Sequence, residues 1–173
     1  SGSDTPVKID IDPATGSNPD NFASFDGALY FSARGGDGIR ELWRLDAGSD
    51  TPVKIDINTT GASDPRQFTE FNGSLYFSAF DDGLDRELWR LDAGSDTPVK
   101  IDINPTDRSN PSGFTEFDGA LYFQATNSDN DTRALAARGR VGYTDRRSRS
   151  TRRTTGRPAA LRCSTMRCSL SLR

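Results

Sequence analysis

The chain repeats every 46 residues, and that period constrains its fold more than any single residue does. Ser-Asp-Thr-Pro-Val-Lys-Ile-Asp-Ile stands at 3–11, again at 49–57 and again at 95–103. Glu-Leu-Trp-Arg-Leu-Asp occupies 41–46 and 87–92, and Phe-x-Gly-x-Leu-Tyr-Phe occupies 25–31, 71–77 and 117–123. A period of this length marks a solenoid, a propeller or an array, in which one unit cannot bury its apolar face without a neighbour. Architecture is therefore readable, whereas the ligand of the assembled surface is not.

Every local signal inside a unit predicts strand. Leu75, Phe77 and Ala79 fall on one face of the segment 74–80 and Tyr76 on the other. Val99, Ile101 and Ile103 alternate with Lys100 and Asp102. In 86–92, Trp89 and Leu91 share a face and Leu88 lies opposite. Asp26-Gly27, Asn72-Gly73 and Asp118-Gly119 suit the positive φ angles of a type I′ hairpin turn. Ala-Gly-Ser-Asp-Thr-Pro at 47–52 and 93–98 forms a second loop, with proline at a strand start where no ladder donor is needed. The predicted strands are 68–71, 74–80, 86–92 and 98–103, and the repeated part carries no helical period.

An all-β fold follows. Four short antiparallel strands per repeat match a β-propeller blade; the alternative is an open array of stacked hairpins. Complete blades are expected at 22–57 and 68–103, with 1–11 and 114–125 as parts of neighbouring blades. Such an incomplete ring leaves exposed blades to pair with other blades or with copies of the same chain.

Glu-Leu-Trp-Arg-Leu-Asp, Val-Lys-Ile-Asp-Ile and Phe-x-Gly-x-Leu-Tyr-Phe together resemble the bacterial ELWxxDGT repeat family over residues 1–131. The resemblance implies tandem propeller-like repeats in a large secreted or surface-exposed protein. It also implies an adhesive or scaffolding role and transfers no catalytic residue. The chain departs from the family's Asp-Gly-Thr, reading Asp92-Ala93-Gly94-Ser95-Asp96-Thr97 instead, a change confined to a turn.

Charge divides the chain in two. Residues 1–131 carry 10 Lys+Arg and 24 Asp+Glu, a net of −14, whereas 132–173 carry 12 Arg and one acid, a net of +11. Excess acid disfavours nucleic acid and anionic membranes as partners of the body. The Arg-rich stretch 146–153 has the charge of a polyanion-binding arm but lacks interleaved aromatics.

The repeat offers another account of this tail. Where the period calls for Arg-Glu-Leu-Trp-Arg-Leu, residues 132–137 read Thr-Arg-Ala-Leu-Ala-Ala. Permitted codons for 132–144, read one base over, spell a block agreeing with 86–98 at 12 of 13 positions. Residues 157–169, read in the remaining frame, agree with 111–123 at 10 of 13, again in phase. The tail is thus expected to be an out-of-frame translation of a further repeat. It is also expected to be disordered from 132 to 173, with little apolar surface to offset chain entropy.

Candidate chemistry is sparse. Glu41 and Glu87 beside Arg40 and Arg86 form an acid–base pattern, but its recurrence suits structural ion pairs or strand-edge hydrogen bonds. With no histidine and no cysteine in the body, no enzyme and no cofactor is expected. Asp81, Asp82 and Asp85, with Asp129 and Asp131 in the corresponding loop, are the candidate Ca²⁺ ligands, though solvated turn chemistry is the preferred account of them. Trp43 and Trp89 are the residues a carbohydrate-binding repeat lectin would use. Cys163 and Cys168 lack the further ligands a zinc site needs. No apolar run reaches membrane-spanning length. The sequence begins inside a repeat, so it is read as a fragment whose signal peptide would not be visible. The expected function is a non-catalytic binding or scaffolding module, extracellular or at the cell surface. Its partners would be glycans or surface proteins. The alternatives are the lectin and, if the tail is genuine, a polyanion binder.

Overall fold

The computed structural model describes residues 8–137 and the backbone of 143–145, and all of its regular elements are strands. They form three four-stranded antiparallel sheets, each in simple sequence order. The first holds β1 (Asp20–Phe25), β2 (Ala28–Arg34), β3 (Arg40–Asp46) and β4 (Val53–Ile55). The second holds β5 (Arg66–Phe71), β6 (Ser74–Phe80), β7 (Arg86–Asp92) and β8 (Val99–Ile101). The third holds β9 (Ser112–Phe117), β10 (Ala120–Thr126), β11 (Thr132–Ala137) and β12 (Tyr143–Asp145).

The hairpins form where the sequence places them. Asp26 and Gly27 have φ of 47° and 73°, Asn72 and Gly73 50° and 74°, Asp118 and Gly119 49° and 67°. Two consecutive left-handed residues match the right-handed twist of the flanking strands. Register then repeats with the sequence: Phe31 pairs with Trp43 and Phe77 with Trp89. The first strand of each sheet is longer than expected, because it continues through a bulge at Asn21, Gln67 or Gly113, all left-handed. The last strand is shorter, ending at Ile55 or Ile101, while Ile57 and Ile103 lie beyond it as buried anchors.

The sheets stack face to face. Leu75, Phe77, Trp89 and Leu91 on one face of the second sheet share a core with Tyr30, Leu42 and Ile55 of the first. Its opposite face sends Phe71, Tyr76, Leu88 and Ile103 into a core with Leu121, Phe123 and Leu135 of the third. Leu88 and Trp89, adjacent in sequence, therefore serve different cores, as strand alternation requires. Full burial of each large apolar side chain stabilises by about 1.5–3 kcal/mol, so neither core is available to a sheet standing alone. The first strands of successive sheets also touch, β1 beside β5 and β5 beside β9.

Two expectations are corrected. Residues 8–11 form no strand; Ile11 instead packs on Phe31, Ala33 and Trp43, since no Glu-Leu-Trp strand lies beside it to pair with. At the other end, the boundary after 131 and the fragment 114–125 give way to a third sheet completed by β11 and β12. β10 presents an open ladder, and Leu135 and Ala137 alternate inward to fill the core beside it. The disorder expected from 132 on thus does not hold at 132–137, and the rest of that expectation, apart from the β12 backbone, lies outside the described residues.

Candidate functional site

The stacked sheets have two ends of different character. At one end are the hairpin turns and the Ala-Gly-Ser-Asp-Thr-Pro loops, whose sequence recurs. These loops tie sheets together: Gly94 N donates to Asp26 Oδ2 at 2.7 Å, and Arg44 pairs with Asp96. At the other end are the loops between second and third strands (35–39, 81–85, 127–131) and the connections between sheets (58–65, 104–111). Here the sequence changes from copy to copy. Loops held by a rigid scaffold and free to differ are where binding function accumulates.

Glu41 and Glu87 do not pair with the arginines beside them. Neighbours along a strand point to opposite faces, so Arg40 instead reaches Asp20 (2.9 Å) and Arg86 reaches Asp64 (3.0 Å). Each glutamate is buried and accepts two hydrogen bonds from a serine 22 residues on. Ser63 donates N–H (3.1 Å) and Oγ–H (2.5 Å) to Glu41, and Ser109 donates the same pair to Glu87 at 3.0 and 2.5 Å. Each latch closes a sheet onto the connection leading to its successor. Burial pushes the Glu87 carboxyl up to about 7, against the downward pull of its serine partner, and raises Glu41 in the same direction.

Of the five candidate Ca²⁺ ligands, Asp81, Asp82 and Asp131 have carboxylates held by other protein groups. Asp81 Oδ1 accepts from Gly83 N and Asp85 N, and its Oδ2 accepts from Lys100 Nζ at 2.7 Å. Burial pushes Asp81 up, but Lys100 and the backbone donors outweigh it and hold the carboxyl below its ordinary value. Asp82 reaches across to the preceding connection, accepting from Thr59 N (2.6 Å) and Oγ1 (3.1 Å). Asp131 pairs with Arg133, while Asp129 and Asp131 donate their backbone N–H to Asn127 Oδ1. Among the described residues no three such groups converge as a cation site.

Trp43 and Trp89 are core residues, each 9% exposed, with Nε1 donating to Ala33 O (3.0 Å) and Ala79 O (3.2 Å). Trp89 lies between the first and second sheets, so a sugar could not stack on it without parting them, whereas Trp43 lies on the outer face of the first sheet in a cluster with Ile11. The arginine stretch 146–153, Cys163 and Cys168 lie outside the described residues.

Sequence reasoning missed Ser63, Ser109 and Asn58. Buried Asn58 bridges the first and second sheets by donating Nδ2 to Asp81 O at 2.9 Å. A signal was present: Ser-Asn/Asp-Pro recurs at 17–19, 63–65 and 109–111, between the blocks that drew attention. Compared with known proteins, the chain matches no family model, no curated protein and no solved structure.

Proposed function

We propose that the chain is a non-catalytic binding or scaffolding module of a larger secreted or surface protein, built of β-propeller-like blades of the ELWxxDGT kind. One observation carries this reading. The buried carboxylates and tryptophans recur in the same structural role in successive sheets, so chemical variety is left to one rim of exposed loops. Four-stranded meanders stacked face to face, first strands adjacent, support the blade arrangement over an open hairpin array. Glycan-array and cell-binding assays on an in-frame protein with a complete ring test the reading. Binding to a defined ligand supports it; no ligand across the screen leaves a structural spacer in its place.

For the tail, an out-of-frame origin is supported by the in-phase agreement of shifted codons at 132–144 and 157–169 with the repeat; β11 itself keeps the phase of the repeat without its side chains. Its pairing with β10 follows the β6–β7 pairing 46 residues earlier, Phe123 opposite Leu135 as Phe77 is opposite Trp89. The coding sequence decides: a frame change shortly before codon 132 and another between codons 145 and 156 are expected. If codons 132–144 do not spell the Arg-Glu-Leu-Trp block when shifted, the basic tail returns as a polyanion-binding arm. RNA mobility shifts across a salt series, with and without the tail, would then test it.

A further inference from the structure

We infer that the variable rim between the first and second sheets holds a binding site for an acidic saccharide, a sugar bearing carboxylate or sulfate; this rests on the binding-module reading. A cavity of about 780 Å³ opens there. Arg34, Arg40, Arg66 and Arg108 line it, with Asp64 as the one acid. The pocket thus carries a lining charge of +3 on a body whose net charge is −14. A local reversal of that size attracts anions to a surface that otherwise repels them.

The arginines divide by what already holds them. Arg40 is committed to Asp20 and Asn18 O, and Arg66 to Asp64. Among the described residues no hydrogen bond or ion pair holds the Arg34 side chain, and Arg108 has only an exposed contact with Asp107 at 3.8 Å. These two guanidinium forks offer the planar, paired donors that carboxylate and sulfate accept. They come from different repeats, so a ligand touching both needs a body of some length.

The repeat shows that the pocket is not a by-product of the fold. Arg34 is replaced by Phe80 and Thr126 at the equivalent positions, Arg66 by Ser112, and Arg108 stands where the preceding copy has Ala62. The sheets form with or without these arginines. Phe80 and Leu84 give the pocket an apolar wall, Leu84 being 65% exposed despite its size. Arg86 backs the Phe80 ring from 4.0 Å. A bare inorganic anion would use the guanidinium groups and leave this wall uncovered. A sugar ring carrying an acidic group covers both.

The full chain should be titrated calorimetrically with three tetrasaccharides: one of hexuronate, one of neutral hexose bearing O-sulfate groups, and the uncharged parent of the latter. Binding by one or both acidic probes, weakened by salt and absent for the parent, is expected; which acid binds identifies the source of the charge. Arg34→Ala and Arg108→Ala, both at exposed side chains, should each weaken binding about tenfold or more. Unchanged circular dichroism would show that the variants remain folded. Equal binding of the uncharged parent, unchanged affinity in the double variant, or sulfate ion binding as tightly as the saccharides would overturn the inference. So would silence of both acidic probes; a different ligand found on the array would then leave the module reading intact while this site fails.

Discussion

The second and third sheets share most of the sequence of their first two strands and none of the third, yet the pairing between their two middle strands is the same. β7 reads Arg-Glu-Leu-Trp-Arg-Leu and β11 reads Thr-Arg-Ala-Leu-Ala-Ala, with no identity at any position. Even so, Leu75 faces Leu91 and Leu121 faces Ala137, one period apart. Turn geometry and the backbone ladder are enough to set that register. What β11 loses is specific. Arg133 stands where Glu87 would accept a serine, Leu135 has no indole N–H, and the Nδ2 of buried Asn104 finds no partner where that of Asn58 finds Asp81 O. The register of the fourth strand differs as well. Trp89 pairs with Lys100, 11 residues on, whereas Leu135 pairs with Asp145, only 10 on.

Substitutions can sharpen the contrast, beginning with the largest effect. Leu88→Ala opens a cavity between the second and third sheets and should cost about 2–5 kcal/mol in urea unfolding. Ala134→Leu, at the equivalent but exposed position of β11, should shift stability by no more than about 0.5 kcal/mol. Equal effects would mean that both strands pack alike. Next, Ser109→Ala removes a hydroxyl from the buried Glu87 carboxylate and should cost roughly 1–3 kcal/mol. Stability unchanged from the parent would show that the latch holds nothing.

The third comparison is with pH. The folded chain holds the Glu87 proton to about 7, above the ordinary 4.5, so it binds that proton more tightly than the unfolded chain does. The stability gained is fully present below about 4.5 and is lost as pH rises through about 7. Thermal melts should therefore fall across this window, and Glu87→Gln should flatten the fall. A Gln variant with the parent's slope would place the titration elsewhere. The smallest effect belongs to Lys100→Ala, which removes a partly exposed ion pair with Asp81 and should cost less than about 1 kcal/mol.

Strands and turns were legible because each is governed by neighbours in sequence: Asn72-Gly73 makes its turn locally, and Leu88 and Trp89 part by alternation alone. The latches were not, since Glu41 meets Ser63 only after one sheet has closed on the next connection. Reading Glu41 against adjacent Arg40 looked for its partner on the wrong face of the strand. The pocket was illegible for a related reason. Arg34, Arg66 and Arg108 are scattered through three segments, and only stacking gathers them. β11 was illegible because it carries none of the repeat's motif, whereas the ladder required only a chain able to alternate.

The spacing of the latch bears on how such a chain can change length. Its serine and glutamate lie 22 residues apart, less than half the period of 46. Duplicating any whole period by unequal crossing-over therefore copies one complete latch, and deleting a period removes one, with no compensating mutation elsewhere. An insertion of any other length within the latch's 22-residue span has no such guarantee, since it moves a serine relative to its glutamate. Growth and loss by recombination are thereby steered toward whole copies, and the array inherits its next interface in the same event that adds the next unit.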